Sequence, residues 1–124
     1  MKIHESAENY LETILVLNQR KQFVRSIDVV NELNFSKPSV SIAMKHLREN
    51  GYIVMDEDGY ITLTNTGAEI AGKIYERHQL ISTLLTKIGV DPETAKEEAC
   101  RIEHDISQET FEKLKNWLMQ NQMI

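Results

Sequence analysis

The chain has 124 residues, of which 41% are hydrophobic, and its formal net charge is −5. This length fits one compact domain or two small ones with a modest core. No apolar run approaches the roughly 18 residues of a membrane span, and the N-terminus does not have the pattern of a signal peptide. A single cysteine excludes an internal disulfide, so we expect a cytoplasmic protein in a reducing compartment.

The charge is unevenly distributed along the chain. Residues 20–48 hold six basic and two acidic side chains, hence +4, so that the remainder carries −9. A basic segment favours contact with a polyanion such as DNA, and an acidic remainder favours cations. An ordinary mixed surface explains the charges alone equally well.

Three helices are predicted in the first part of the chain. Apolar spacing near the N-terminus predicts the first helix, and Ser26 is expected to cap a short second one. Ser36 or Lys37 is expected at the cap of the third helix, Pro38 in its first turn and Gly51 just after its end. Two short helices joined by about three residues indicate a helix-turn-helix.

A β-hairpin is predicted directly after the third helix. Two apolar runs in YIVMDEDGYITLT flank Asp58-Gly59, which is a strong hairpin signal. A helix-turn-helix followed by a hairpin is the winged-helix arrangement. We therefore expect a winged helix-turn-helix DNA-binding domain over residues 1–72.

The remainder of the chain is predicted to be helical. A long helix is expected over residues 67–88, with Asp91 and Ser107 capping two shorter helices. Residues 73–124 contain more apolar side chains than two short helices can bury, which favours a dimer interface. Packing back onto the first helix is the alternative. The predicted fold is mainly α, a winged helix-turn-helix followed by an all-helical dimerisation and metal-binding domain.

Eight side chains are candidate DNA contacts. Hydroxyls at the start of the third helix lie where free N–H groups and the helix dipole favour a phosphate, and side chains there reach base edges in the major groove. The candidates are Arg25, Ser36, Lys37, Pro38, Ser39, Ser41, Lys45 and His46. A serine at a helix start is more commonly only a cap. The acidic hairpin tip is not expected to enter a phosphate-lined groove.

Six side chains are candidate metal ligands: Asn9, Glu12, His78, Cys100, Glu103 and His104. Cys100, Glu103 and His104 follow an i, i+3, i+4 pattern, which predicts one shared helix face. Sulfur, nitrogen and oxygen donors from three helices match a six-coordinate divalent ion better than a tetrahedral structural zinc. Taken singly, these residues have plainer interpretations, such as a small buried thiol or a solvated helix charge.

Other classes of function remain open at this point. A cysteine, a histidine and a glutamate around a metal also suit a small metallohydrolase, but no glycine-rich loop or oxyanion device lies near Cys100. A redox sensor that oxidises Cys100 would need a cysteine from another molecule. A winged-helix protein with a purely structural metal is the third alternative.

The chain resembles the diphtheria-toxin-repressor family of metal-dependent transcription regulators, including its manganese-transport-regulator branch, over essentially its whole length. SAENYLETIL resembles the family's opening helix, SKPSVSIAMKHLRENGYI its recognition helix, ERHQLISTLL its linking helix and EEACRIEHDIS its ligand helix. The resemblance implies a homodimeric repressor that binds operator DNA in response to a divalent metal and controls metal-ion homeostasis. It implies no enzymatic activity, no membrane and no small organic substrate.

The resemblance also implies the roles of the candidate ligands. Glu12 falls where the manganese branch has a glutamate, and His78 matches the histidine of the linking helix. Glu103 and His104 match the acid–histidine pair of the ligand motif. The spacing C-x-x-E-H at this distance from R-H-x-L is highly specific to the family.

Two positions make the site a hybrid of the family's branches. Cys100 matches the iron branch, whereas the manganese branch has a glutamate there, and Asn9 stands where the branches have aspartate or methionine. Thiolate favours Fe(II), with Mn(II) second and Co(II), Ni(II) and Zn(II) as substitutes in vitro. Ser82 and Lys96 replace two ligands of the iron branch's ancillary site, so that site is expected to be missing or altered. The shorter two-domain form, without the SH3-like third domain, is expected.

Overall fold

The computed structural model describes residues 5–122, so the first four and last two residues of the predicted domains lie outside the described range. The helices are α1 (Glu5–Arg20), α2 (Ser26–Leu33), α3 (Lys37–Glu49), α4 (Asn65–Lys87), α5 (Pro92–Ile102) and α6 (Gln108–Gln120), and strands β1 (Ile53–Met55) and β2 (Ile61–Leu63) lie between α3 and α4. This arrangement confirms the predicted fold class. Within the described range, no helix is both long and apolar enough to cross a membrane. The chain divides into two compact units, Met1–Gly72 and Lys73–Ile124.

The first unit is a three-helix core with a hairpin. Its buried centre includes Leu11, Ile14, Val24, Val29, Val40 and Met44. On α3, Val40, Met44 and Leu47 are buried and lie on one face of the helix because they are four and three residues apart. The opposite face of α3 is thereby left to solvent.

The caps of α2 and α3 are set by short local contacts. Of the two predicted candidates, Ser36 is the N-cap of α3, and its hydroxyl oxygen accepts the backbone N–H of Ser39 at 3.2 Å. The prediction for Ser26 is wrong, because the extended residue before α2 is Arg25. The carboxylate of Asp28 accepts the N–H of Arg25 at 2.8 Å, so an acid inside the first turn takes over the capping role.

The hairpin is joined to the helices by main-chain contacts. Ile53 pairs with Leu63 and Met55 with Ile61, which confirms the hairpin predicted around Asp58-Gly59. The N–H of Ile61 donates to the carbonyl of Val24 at 2.7 Å, tying β2 to the segment before α2.

The second unit packs the end of α4 against α5 and α6. Leu80, Phe111 and Leu118 are buried together, with Leu84, Ile106 and Leu114 packed against them. Asp91 and Ser107 cap α5 and α6 as predicted. Trp117 and Met119 on α6 remain 52% and 55% exposed, so part of the apolar surface predicted for this region is unburied within the chain.

Candidate metal centre and nucleic-acid interface

Three donor side chains of the second unit form one compact cluster. His78 on α4, Cys100 on α5 and Glu103 directly after α5 offer ligand atoms that all lie within 4.8 Å of one another. The Nδ1 atom of His78 is 2.9 Å from Oε2 of Glu103 and 3.7 Å from Sγ of Cys100. The fold thus brings together three of the six predicted ligands.

Glu103 lies at the buried end of this cluster. Its side chain has no exposed surface, and its Oε1 has no hydrogen-bond partner within residues 5–122. The Nε2 atom of His104 is 3.4 Å from Oε1, a distance that fits an ion pair. A buried carboxylate oxygen that lacks a hydrogen bond is costly, and a cation beside it removes that cost.

His78 supplies the positive charge of the cluster when no metal is bound. The hydrogen bond with the sulfur of Cys100, and then the one with Glu103, raise the pKa of His78 to about 10, although burial acts against the rise. The imidazole therefore carries a proton at neutral pH. A metal bound through Nδ1 requires this proton to leave.

The end of α5 differs from the sequence prediction. The spacing predicts one helix face for Cys100, Glu103 and His104, but α5 ends at Ile102 and His104 lies in the following turn. The prediction is therefore wrong for His104. Glu103 keeps helical backbone angles (φ −58°, ψ −25°) as the C-cap, so its side chain stays about one turn from Cys100.

The two predicted ligands of the first unit lie on α1. Glu12 is 7% exposed, which is unusual for a glutamate. Asn9 is half-buried, and its main-chain carbonyl accepts the hydroxyl of Thr13 at 2.8 Å. Both residues stay predicted ligands.

All eight predicted DNA-contacting residues are exposed. On α3, the side chains of Pro38, Ser41 and Lys45 follow i, i+3, i+7 spacing on the face opposite the core. Ile42, which sequence analysis did not select, belongs to the same face and is 57% exposed. Its apolar side chain is suited to the methyl group of thymine.

A second feature of the first unit that sequence analysis missed surrounds Arg25. Its guanidinium lies 4.5 Å from the ring centroid of Tyr60, and that ring stacks on Phe23 at 4.6 Å. Tyr60 precedes β2, so the hairpin holds an arginine at the start of α2. The only sequence signal was aromatic residues at two distant loop positions.

Two protein-family models match almost the entire chain. A model described as the N-terminal DNA binding domain of iron dependent repressors matches residues 2–61. A model described as the metal binding and dimerisation domain of the same repressors matches residues 64–123. The chain belongs to the iron-dependent repressor family.

Individual relatives agree with this family. An uncharacterised HTH-type transcriptional regulator of Methanocaldococcus jannaschii is 36% identical over 113 residues, which are 90% of each chain. The transcriptional regulator MntR of Salmonella typhimurium is 34% identical over 108 residues, 87% of this chain and 69% of that protein. The manganese regulator SloR is 27% identical and has a TM-score of 0.81, with 95% of this chain matching 54% of the SloR chain.

Membership of the iron-dependent repressor family decides several open questions. The protein is a metal-dependent transcriptional regulator and not an enzyme, so the metallohydrolase interpretation is wrong. DNA and a second copy of the chain are its partners, and Fe(II) or Mn(II) are the metals of the family. The donor set fits such an ion, because His78, Cys100 and Glu103 combine nitrogen, sulfur and oxygen beside a carboxylate oxygen without a hydrogen bond.

Proposed function

We propose that the protein is an Fe(II)-responsive repressor of metal-ion homeostasis that acts in the cytoplasm. In this proposal residues 1–72 form the DNA-binding domain and residues 73–124 the metal-binding and dimerisation domain. The observation that carries the proposal is the position of the Cys100 sulfur, 3.7 Å from the Nδ1 of His78 in a cluster that includes a buried glutamate. A sulfur donor at this place favours a softer ion than Mn(II).

The proposed metal ligands are those named from the sequence. His78, Cys100 and Glu103 are supported by their mutual proximity, and His104 by its 3.4 Å approach to Glu103. Asn9 and Glu12 are supported by the family resemblance. A divalent ion, when bound, supplies the positive charge that the buried Glu103 carboxylate needs.

The proposed DNA contacts are supported by exposure and by helix position. Ser36, Lys37 and Ser39 lie at the N-terminus of α3, where the backbone N–H groups favour phosphate. Arg25 at the start of α2 adds a guanidinium that is held against Tyr60. Metal binding favours the form of the dimer that binds the operator, through a difference in metal affinity between two forms.

Exposed apolar side chains support the proposed dimer domain. Trp117 and Met119 lie on either side of the buried Leu118 near the end of α6, and both are more than half exposed. Large aromatic and methionine side chains are enriched at protein interfaces. A second copy of the chain is the partner that would cover them.

Mn(II) is the second candidate metal. MntR of Salmonella typhimurium and the manganese regulator SloR resemble this chain over 87% and 95% of its length. Glu12 also agrees with the manganese branch. The sulfur of Cys100 is the feature that separates the two candidates, because a hard ion such as Mn(II) prefers a carboxylate at that position.

The test is anaerobic fluorescence anisotropy of the full chain on labelled DNA from upstream of its own gene. Fe(II), Mn(II) and a chelator are compared at one fixed salt concentration, because salt strongly changes such affinities. We expect tight binding with Fe(II), weaker binding with Mn(II) and none with chelator. Equal binding in chelator would contradict the regulatory role, and stronger activation by Mn(II) would replace the iron assignment.

A further inference from the structure

Arg77 precedes His78 on α4 and binds the connection between α5 and α6. Its Nη1 donates to the main-chain carbonyls of Glu103 at 3.1 Å and Ile106 at 2.8 Å. Its Nη2 donates to Oε1 of Gln108 at 3.0 Å. The side chain of Arg77 therefore links the end of α5 and the start of α6 by hydrogen bonds.

The contact with Glu103 matters because α5 has already ended there. The last carbonyl groups of a helix have no partner inside the helix, and the carbonyl of Glu103 obtains one from Arg77. His78 contacts the side chain of the same residue, at 2.9 Å from Oε2. Two consecutive residues of α4 thus hold Glu103, one by its main chain and one by its carboxylate.

Packing holds Arg77 itself in place. Its guanidinium carbon is 5.5 Å from the ring centroid of Phe111, and Phe111 is only 5% exposed in the core of the second unit. A planar guanidinium that lies over a buried ring and donates to three acceptors has little freedom to move. The main-chain carbonyl of Glu103, to which Arg77 donates, is therefore held in place as well.

We propose that Arg77 is a positioning residue of the metal centre, which sets metal affinity by fixing the main chain of Glu103. This inference rests on the proposed function, since it assumes that Glu103 binds the metal. Removing a residue that hydrogen-bonds to a metal ligand commonly lowers metal affinity about 10- to 100-fold. Arg77 has the contacts of such a partner.

The chain offers a matched control for this proposal. Lys115 on α6 donates to the Glu76 carboxylate on α4 at 2.9 Å, and both side chains are about half exposed. This ion pair also links α4 with α6 but does not touch Glu103. Replacing Lys115 therefore removes a link between the same two helices without disturbing the ligand.

The experiment is a titration of the full chain with Co(II), followed by the absorption that a cobalt–thiolate bond produces. We expect Arg77→Gln to weaken Co(II) binding about 10- to 100-fold, and Lys115→Met to weaken it by less than about twofold. Arg77→Lys keeps the charge but cannot reach three acceptors at once, so an intermediate loss is expected. Wild-type affinity in Arg77→Gln, or equal losses in Arg77→Gln and Lys115→Met, would overturn the proposal.

A double mutant separates positioning from general stability. In a Glu103→Gln background, Arg77→Gln should cause no further loss of Co(II) affinity. Arg77 is proposed to act only by positioning Glu103, whose carboxylate is already missing in this background. An undiminished second loss would overturn the proposal. If Arg77→Gln does not fold by circular dichroism, Arg77→Lys replaces it in both arms, with the intermediate loss expected in the wild-type background and no further loss in the Glu103→Gln background. Failure of the wild-type chain to bind Co(II) would instead reject the proposed metal centre.

Discussion

The candidate DNA-binding face and the candidate metal centre are built in opposite ways. The candidate DNA contacts on α3 are exposed, and the caps that order them join residues only three apart, such as Ser36 and Ser39. The metal cluster joins His78 to Glu103 across 25 residues of sequence and buries the carboxylate completely. The first site depends on local helix formation, whereas the second depends on the packing of α4 against the end of α5. Substitutions should therefore affect the two sites separately and to different degrees.

The largest effect is expected from Glu103→Gln. The substitution keeps the shape of the side chain but removes the buried negative charge that attracts a cation. We expect Fe(II) and Co(II) affinity to fall by more than about 100-fold, as measured by anaerobic titration. Glu98→Gln on the exposed side of α5 is the matched control and should bind as the wild type does. Equal affinities in the two variants would show that Glu103 is not a ligand.

The next largest effect concerns which metal is bound. Cys100→Glu replaces a soft donor with the carboxylate that a hard ion prefers, so the ratio of Mn(II) to Fe(II) affinity should rise by about 10- to 100-fold. Competition titrations under anaerobic conditions measure this ratio. Cys100→Ser, which removes the thiol without adding a charge, should weaken the binding of both ions. An unchanged ratio of Mn(II) to Fe(II) affinity in Cys100→Glu would show that the sulfur does not determine metal selectivity.

A smaller effect is expected from pH. Because the pKa of His78 is raised to about 10, the imidazole is protonated in the metal-free protein at pH 8.5 and at pH 7.5. Metal and proton compete for Nδ1, so this proton alone should weaken Co(II) binding about tenfold for each unit of falling pH. An ordinary histidine would be mostly neutral over this range. NMR titration of the His78 ring in the metal-free protein is the direct check, and a midpoint near the ordinary histidine value would contradict the prediction.

The smallest effect is expected on the DNA-binding face. Lys37→Ala removes one exposed charge at the start of α3, so DNA affinity should fall only a few-fold. The slope of log affinity against log salt should decrease by about 0.9 for each phosphate that the protein no longer neutralises. Anisotropy at several salt concentrations measures both quantities. Lys96→Ala on α5 removes an equal charge from the second unit, and an identical loss of affinity there would contradict a specific role for Lys37.

This contrast explains what the sequence could and could not predict. Ser36, Gly51, Asp91 and Ser107 were predicted correctly as helix-terminal residues because caps depend on neighbours three or four residues away. The same local logic failed at Ser26, since Asp28 within the first turn of α2 provides the capping bond. Helical spacing alone cannot show such a competition between neighbouring side chains.

The metal site shows a similar limit. Spacing grouped Cys100 with Glu103 correctly but extended α5 too far for His104. Donor chemistry made His78 a candidate, but no periodic pattern relates positions 22 residues apart, so its match to the family's linking-helix histidine was the stronger argument for placing it with these residues. Sequence analysis also missed Arg77. Its acceptors are mainly main-chain carbonyls, which every residue has, so no residue type indicates the contact.

The unequal exposure of Cys100 and Glu103 has a consequence for the rate of metal exchange. The sulfur is exposed to solvent whereas the Glu103 carboxylate is fully buried, so a donor from a chelator reaches the Cys100 side of the centre more readily than the Glu103 side. Release should then proceed in stages, with the outer bond exchanging quickly and the inner one limiting the overall lifetime. The protein would then retain its bound metal ion for longer than its affinity alone suggests. Its regulatory response to a falling metal supply would be delayed.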